Sequence, residues 1–325
     1  MRAVVLRSYG GPDVLTIEDA PDPVAGPEDV VVAVRSTALN RADLMQRMGL
    51  YPNPRPAALE IPGLEMAGTV VALGSRASLW KVGDEVMGID AGGCHAERVA
   101  IHERQVMAVP TSVGAADGGA IPEVFLTAWD ALVVQGGLTS GRWALVHAGG
   151  SGVGTAAIQI AKAIGAQVAV TCSAGKVEAC RRLGADLVVD YGSQDYVAEL
   201  AAATGGGGAD VILDVIGGDY VGRNLQAAAL KGRIVQVGTM SGNNVPTNLG
   251  MLMFKRLSLI GTVLRARPIE EKIALTRRFA AEMLPLFDRG QLRPVIDSRY
   301  PLGRIAEAHA FMESNGNVGK ILIDV

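Results

Sequence analysis

The sequence predicts an α/β protein with two domains, one rich in β-strands and one built on a doubly wound parallel sheet. The first observation is a series of short β-rich runs in the N-terminal part, separated by Gly, Pro and Asp turn signals. The second is a change near residue 119, after which apolar strand-like runs alternate with helical stretches. The third is the length of 325 residues, which is enough for two domains with separate cores.

The N-terminal runs with strand character lie at residues 2–7, 29–38, 66–73 and 96–109. Turn sequences such as Gly10-Gly11-Pro12 and Gly83-Asp84 separate them, and no long helix intervenes. Such spacing is typical of an antiparallel, partly barrel-like domain. A long amphipathic helix at 269–289 and a closing strand at 320–325 end the chain. We therefore expect this domain to be built from both ends of the chain.

The central part predicts six strands, at residues 143–148, 167–172, 187–191, 210–215, 233–237 and 257–262. Helical stretches lie between them, for example at 153–164 and 177–183. Short apolar strands that alternate with helices are typical of a parallel, doubly wound sheet. We expect the β-rich domain to comprise residues 1–120 and 266–325, and the doubly wound domain to comprise residues 121–265.

Composition and charge exclude several classes of function. A hydrophobic content of 49% with 19% charged residues suits a globular protein and argues against disorder. A net charge of −3 gives no reason to expect nucleic acid or an anionic membrane as partner. Three cysteines cannot build a disulfide framework and indicate a reducing compartment. The N-terminus does not read as a secretory signal, and no uncharged apolar run reaches the roughly 18 residues that span a bilayer. We expect a cytoplasmic protein.

A glycine-rich loop follows the first strand of the doubly wound domain and leads into a helix. Its residues are Gly149, Gly150, Ser151, Gly152, Val153 and Gly154. Unpaired amides at a helix start carry positive partial charge and bind a pyrophosphate, and small residues let the backbone approach it. The match to G-x-G-x-x-G is imperfect, because Ser151 takes the middle glycine position. The strand–loop–helix–strand context nevertheless predicts a dinucleotide-binding Rossmann unit at 142–176. A tight turn without a ligand is the alternative.

The end of the second strand of this unit favours NADPH over NADH. An enzyme that uses NAD places Asp or Glu there to hold the ribose 2′-hydroxyl. Here the chain runs from Thr171 to Lys176 without an acid. Ser173 and Lys176 offer a hydroxyl and an ammonium group, which attract a 2′-phosphate. Tyr191, at the end of the third strand, is placed to reach the same phosphate. The alternatives are a solvated Lys176 in the next helix and a Tyr191 that only packs.

Several runs spread over nearly the whole chain carry a family resemblance. They are ALNRADLMQR at 38–47, IPE at 121–123, the loop and helix at 147–159, FKR at 254–256 and GKI at 319–321. With them the chain resembles the zinc-independent quinone oxidoreductases of the medium-chain dehydrogenase/reductase superfamily, similar to zeta-crystallin and most of all to the tumour-suppressor-inducible branch. The resemblance implies a GroES-like catalytic domain around a Rossmann domain, and it implies that Ser151 is normal in the phosphate loop.

The resemblance also bears on metal. Zinc-dependent relatives hold their catalytic metal with a Cys and a His, and the corresponding positions here carry Asn40 and Leu64. Neither side chain supplies the thiolate or imidazole that zinc needs. Cys94 and His95 are adjacent, which is poor ligand spacing, and a lobe of four closely spaced cysteines is absent from the sequence. We therefore expect no metal, and a quinone-like acceptor rather than an alcohol.

Further site residues are implied by the resemblance alone. Thr127 and the strand ends around Ile216, Gly217 and Gly238 would line the nicotinamide side, although the glycines also suit turns. Leu264 and Arg265 would approach the nicotinamide amide, and Asn317 and Lys320 would close the cofactor cleft. Asn40 would orient the nicotinamide ribose, polarise a carbonyl or only stabilise its loop. Tyr51 lies where related enoyl-thioester reductases carry a proton-donating tyrosine, and its alternative is to line the pocket.

The leading expectation is an NADPH:quinone oxidoreductase that works by hydride transfer from the nicotinamide. An NADPH-dependent enone or enoyl-thioester reductase with Tyr51 as acid is one alternative, and a non-catalytic NADPH-binding protein is another. The strand that begins at Leu257 and ends at Thr262 is expected at the sheet edge, where it invites a homodimer. Met251, Met253 and Phe254 would form a pocket wall, a core or a dimer contact. We expect His147 to be packed, and His102 and His309 to take surface or helix positions.

Overall fold

The computed structural model of the chain describes residues 1–54 and 58–325. These residues form two compact units. The first unit comprises Met1–Leu126 and Leu264–Val325, and the second comprises Thr127–Val263. The sequence predicts these two boundaries after residues 120 and 265.

The first unit is built on antiparallel pairing. Its strands are β1 (Arg2–Leu6), β2 (Leu15–Asp19), β3 (Asp29–Ala38), β4 (Glu65–Leu73), β5 (Glu85–Ile89), β6 (Arg98–His102), β7 (Val106–Ala108), β14 (Ile296–Pro301) and β15 (Lys320–Asp324). The main sheet has the order β14-β15-β3-β4-β5-β7, with β6 paired to β3, and β1 pairs with β2 in a small separate sheet. Among the described strand pairs of the first unit, only β14 and β15 are parallel. Because β15 pairs with β3, both ends of the chain contribute to this sheet, as the sequence predicts.

Short helices and one long helix cover this sheet. They are α1 (Arg41–Arg47), α2 (Ala115–Gly118), α9 (Ile269–Asp288) and α10 (Ile305–Glu313), together with the start of α3 (Pro122–Trp129). The long helix predicted at 269–289 is α9. Glu270 and Glu271 in its first turn interact favourably with the helix dipole. Its buried face includes Phe287, whose ring packs edge-on against Phe125 with centroids 4.8 Å apart.

The second unit is a six-stranded sheet in which every described pair is parallel. Its strands are β8 (Trp143–Val146), β9 (Gln167–Cys172), β10 (Leu187–Asp190), β11 (Ala209–Asp214), β12 (Ala228–Gln236) and β13 (Ser258–Gly261). Their order is β10-β9-β8-β11-β12-β13, which is the 3-2-1-4-5-6 order of a Rossmann fold. The predicted fold class is therefore confirmed. The strand order reverses between β8 and β11, so the loops that follow these two strands frame the expected ligand position.

The connections of the second unit are helical. Its helices are α4 (Gly152–Ala163), α5 (Val177–Arg182), α6 (Tyr196–Ala203), α7 (Tyr220–Ala227) and α8 (Leu249–Lys255), and α3 continues as a π-helical segment at Asp130–Gln135. The sheet core is apolar, with Leu145, Ala169 and Ile212 fully buried. β13 is the edge strand, as predicted, and its Leu259 is 44% exposed. In the described parts of the chain, no helix combines the length and the apolar character needed to cross a membrane.

Candidate functional site

The glycine-rich loop joins β8 to α4 at the carboxyl end of the sheet. Ser151 is the residue that caps α4, because its Oγ accepts a hydrogen bond from the Gly154 amide at 3.0 Å. A serine at this position satisfies one of the first-turn amides that the helix cannot pair. The amides of Gly152 and Val153 have no carbonyl four residues back in the helix and stand in its positive end. The middle position of the motif is thus serine for a structural reason.

Two glycines of the loop are required by space, and a third lies against a lysine side chain. A Cβ on Gly149 would lie 2.7 Å from Val170 Cβ, and a Cβ on Gly154 would lie 2.3 Å from the Ala148 carbonyl oxygen. Both glycines therefore allow the helix to approach the sheet closely. A Cβ on Gly150 would lie 2.7 Å from Lys176 Cδ. The aliphatic part of Lys176 consequently lies against the phosphate loop.

The residues predicted to read the 2′-phosphate gather at one corner of the sheet. Ser173 and Lys176 follow β9 directly, and both are half-buried. Tyr191 follows β10, is 55% exposed, and its amide donates to the Cys172 carbonyl at 3.1 Å. An acid, Asp190, does end β10. Its carboxylate accepts from the amide of Gly192 and the hydroxyl of Ser193, so it is occupied by its own turn.

A buried aspartate shapes the loop after β11. Asp214 Oδ1 accepts from the amides of Ile216 at 2.6 Å and Gly217 at 3.0 Å, and Gly217 has a φ of +67°. The turn holds Ile216 and Gly217, two residues predicted to line the nicotinamide side. Asp214 itself was not predicted. The available signal was an Asp at a strand end with glycine three residues later, a pattern that suits an Asx turn.

Asp214 belongs to a buried network that reaches back to the phosphate loop. Asn224 Nδ2 donates to Asp214 Oδ2 at 2.9 Å, so its Oδ1 accepts from His147 Nε2 at 2.8 Å and from the Tyr196 hydroxyl at 3.0 Å. His147 Nδ1 then accepts from Thr171 Oγ1 at 3.0 Å. Burial lowers the pKa of His147, and the neutral ring with its proton on Nε2 fits these partners. His147 is packed, as predicted, and it also connects the two loops that frame the ligand position.

The other predicted residues of the second unit are placed more simply. Thr127 is buried on α3, and Gly238 follows β12 with its carbonyl accepting from Gln236 Nε2 at 2.6 Å. Met253 is 72% exposed and Phe254 is 86% exposed, so the core interpretation of these two residues is wrong. They lie on the outer side of α8, because the opposite side packs Met251 and Leu252 against the sheet core.

In the first unit, a buried carboxylate collects several predicted residues. Glu65 Oε1 accepts from Asn40 Nδ2 and from Lys320 Nζ, both at 2.8 Å, and Glu65 Oε2 accepts from the Glu123 amide at 2.8 Å. Lys320 Nζ also donates to Asn40 Oδ1 at 2.7 Å. Both polar atoms of the Asn40 amide are therefore engaged by protein groups. The backbone amide of Asn40 donates to Asp43, which caps the start of α1. We call Asn40, Asp43, Glu65, Glu123 and Lys320 the Glu65 cluster.

Arg265 holds the segment that contains Tyr51. Its guanidinium group is buried and donates to the Ala91 carbonyl at 2.7 Å, the Tyr51 carbonyl at 3.0 Å and Gln46 Oε1 at 2.7 Å. It also lies 5.0 Å from the centre of the Tyr51 ring. Burial raises the pKa of Tyr51, and the Glu123 carboxyl adds to this shift. Tyr51 is thus a protonated phenol at neutral pH. Asn317, also buried, donates from Nδ2 to the Gly319 carbonyl at 2.8 Å.

The titration of two acids in the Glu65 cluster is displaced. Burial raises the pKa of Glu123 to about 8, with the neighbouring Glu65 adding to the shift and Lys320 opposing it. Burial raises the pKa of Asp43 to about 6. The sequence motifs assigned no role to Glu65 or to Glu123. Glu65 follows Gly63 and Leu64, and Glu123 ends the Ile-Pro-Glu run. The two carboxyl groups are far apart in sequence, so residue spacing could not predict that they lie close together.

The positions at which the family resemblance implies zinc ligands, residues 40 and 64, carry other side chains here. The Asn40 amide is engaged as described, and Leu64 is a buried apolar residue. His95 is fully buried with Nδ1 at 3.2 Å from Thr37 Oγ1, and burial lowers its pKa to about 3. Among the residues that the structure describes, no three His, Cys, Asp or Glu side chains gather as a metal site would require. His309 is fully buried in α10, so its expected surface position is wrong, whereas its helix position is right.

Comparison with protein families gives two matches. The family described as "Alcohol dehydrogenase GroES-like domain" matches residues 26–136. The family described as "Zinc-binding dehydrogenase" matches residues 152–281.

Full-length relatives and solved structures are also similar. The rat synaptic vesicle membrane protein VAT-1 homolog is 31% identical over 99% of this chain and 84% of its own length. Human quinone oxidoreductase is 31% identical over 99% of this chain and 97% of its own length. The structure of Escherichia coli quinone oxidoreductase complexed with NADPH has a TM-score of 0.90 and 27% identity over all of both chains. The structure of an NAD-dependent alcohol dehydrogenase has a TM-score of 0.89 and 32% identity, again over all of both chains.

The buried network of the second unit makes a stability prediction. Asn224→Leu would leave the His147 Nε2 proton, the Tyr196 hydroxyl and Asp214 Oδ2 without their partner. We expect the free energy of unfolding to fall by about 3 kcal/mol, because buried polar groups would lose hydrogen bonds. Urea denaturation followed by circular dichroism measures it. Gln226→Leu, at an exposed position of the same helix, is the matched control. Equal denaturation midpoints for the two variants would contradict the prediction.

Proposed function

Since the chain belongs to the medium-chain dehydrogenase/reductase superfamily, we propose that it reduces quinones with NADPH by hydride transfer and without a metal. The observation that carries the choice of cofactor is the corner after β9, where Ser173 and Lys176 stand beside the phosphate loop in place of an acid. The similar Escherichia coli quinone oxidoreductase was solved with NADPH, which supports both parts of the proposal.

The residues present fit a bound dinucleotide. The loop at 149–154 is small, its helix start offers amides, and a side chain on Gly150 would collide with Lys176. In this proposal the first turn of α4 binds the pyrophosphate, while the Ser173 hydroxyl, the Lys176 ammonium group and the Tyr191 phenol bind the 2′-phosphate. The loop held by Asp214 would orient the nicotinamide side. When bound, the cofactor supplies a hydride, and the protein supplies position and electrostatic stabilisation.

Metal independence rests on the donor groups of the first unit. Asn40 and Leu64 offer neither thiolate nor imidazole, and the Asn40 amide is committed to Glu65 and Lys320. A quinone is electron-poor enough to accept a hydride when it is correctly positioned. Asn40 would then act by fixing the cluster around it rather than by polarising the acceptor directly. The structure of an NAD-dependent alcohol dehydrogenase is also similar to this chain. The fold alone therefore determines neither the cofactor nor the acceptor.

The first test is turnover with two classes of acceptor. We expect purified protein to oxidise NADPH in the presence of a small quinone. The loss of nicotinamide absorbance measures this oxidation. Turnover of enones or enoyl thioesters alone would favour the alternative reductase. If both acceptor classes turn over, Tyr51→Phe should reduce the rate with enones far more than the rate with quinones. NADPH binding without turnover of any acceptor would favour a non-catalytic cofactor-binding protein.

The second test is the cofactor preference of Lys176→Ala. We expect KM for NADPH to rise about tenfold and KM for NADH to change little, because only NADPH carries the 2′-phosphate that the ammonium group binds. Lys162→Ala is the control, since Lys162 pairs with Asp186 on the surface of the same unit. Equal changes in KM for both nucleotides would refute the assignment of Lys176.

We further propose a cytoplasmic homodimer that forms through the β13 edge. β13 has no neighbour on one side in the sheet order, and apolar side chains near it are exposed, with Leu259 at 44% and Val263 at 50%. An exposed apolar strand edge favours pairing with a second chain. We expect sedimentation at micromolar protein to give twice the mass of one chain, and Leu259→Lys to give the mass of one. Leu79→Lys, at an exposed position of the first unit, is the control. A wild-type mass of one chain would refute the dimer.

A further inference from the structure

We propose that Glu123 is a catalytic acid, and that its carboxyl group donates the proton that accompanies hydride transfer to the acceptor. The inference rests on the proposed oxidoreductase function and names the source of its proton. It identifies a residue different from Tyr51, the donor that the sequence suggests.

The position of Glu123 is unusual for a glutamate. It stands in the first turn of α3, and its backbone amide donates to Glu65 Oε2 at 2.8 Å. Its own Oε2 is buried and has no hydrogen-bond partner among the residues that the structure describes. A buried polar atom without a partner costs free energy, so such an atom in a folded protein calls for a specific reason. A bound acceptor oxygen, which takes a hydrogen bond and then the proton, supplies that reason.

The charged groups around Glu123 keep its proton in place. Burial is the largest cause of its raised pKa, the carboxylates of Glu65 and Asp43 add to the shift, and Lys320 and Arg265 oppose it. With a pKa of about 8, Glu123 is a neutral carboxylic acid at neutral pH. The pKa of Tyr51 is raised above the ordinary value for a phenol, so the carboxyl group is the stronger acid of the two. A donor with a pKa close to the working pH is the more effective general acid.

The step balances in atoms and electrons. A quinone gains two electrons and one hydrogen as a hydride from NADPH, and negative charge develops on its oxygen. The O–H bond of the Glu123 carboxyl group breaks, and a new O–H bond forms on that oxygen. The products are hydroquinone, NADP⁺ and the Glu123 carboxylate, which takes a proton from water before the next turnover. In sum, one quinone, one NADPH and one proton give one hydroquinone and one NADP⁺.

Glu123→Gln tests this role, because it preserves the size of the side chain and removes the transferable proton. We expect kcat with a quinone to fall on the order of 10²-fold. In the wild type, kcat should also fall as pH rises through about 8, and this decrease should be absent from Glu123→Gln. Glu123→Asp keeps an acid and should retain the decrease. Glu271→Gln, the same substitution at an exposed position on α9, should match the wild type. The NADPH dissociation constant, measured by fluorescence, should be unchanged in all variants.

The inference is overturned if Glu123→Gln turns over at the wild-type rate or keeps the alkaline decrease. It is also overturned if Tyr51→Phe, and not Glu123→Gln, removes that decrease. A wild-type protein that reduces neither quinones nor enones would instead contradict the proposed function.

Thermal unfolding then tests the protonation state of Glu123 without any turnover. Its folded pKa is raised above the ordinary value of 4.5 to about 8. The stability that protonation confers is therefore fully present below pH 4.5 and is lost as pH rises from there through about 8. The wild-type Tm should fall relative to that of Glu123→Gln between these two pH values. Parallel Tm curves for the two proteins would show that Glu123 does not hold a proton at neutral pH, and the inference would fail.

Discussion

The buried ion pair between Glu65 and Lys320 is the interaction on which the first unit depends. Glu65 begins β4 and Lys320 begins β15, two strands that lie on either side of β3. The same carboxylate accepts hydrogen bonds from Asn40, before α1, and from the amide of Glu123, in α3. Removing one partner of a buried ion pair costs about 3–5 kcal/mol, because the other charge is left unpaired. One carboxylate thus fixes the relative positions of two strands and two helix starts.

In the second unit a neutral side chain holds several elements together, and burying it costs less free energy than burying an ion pair. Its central group is the neutral amide of Asn224, which accepts from His147 and Tyr196 and donates to Asp214. A neutral His147 suits this position, since a charged ring would be buried without a counter-ion in contact with it. Because His147 precedes the phosphate loop and Asp214 begins the turn after β11, a continuous chain of buried hydrogen bonds connects the two loops.

The sequence was sufficient where the signal is local. Strand and helix periodicity predicted the parallel sheet, and the glycine spacing predicted the tight loop between β8 and α4, because both patterns are set by neighbouring residues. The roles of Glu65 and Asn224 could not be predicted, because their partners are distant in sequence and only the fold brings them together. His309 is different, since residues 305, 308, 309 and 312 form one buried stripe of α10 and that spacing already indicated burial. The expected surface position of His309 was wrong because it followed from the residue type and not from the residue's place on the helix.

The charges of the first unit also explain why one of its acids should remain protonated. Three carboxyl groups, from Asp43, Glu65 and Glu123, face two cations, from Lys320 and Arg265. Full ionisation would leave an uncompensated negative charge in a buried region, which is unfavourable. Lys320 is held directly by Glu65 at 2.8 Å. The pKa of Glu123, about 8, is higher than that of Asp43, about 6. A proton on Glu123 removes one of these negative charges, and in the proposed reaction it is this proton that the acceptor takes.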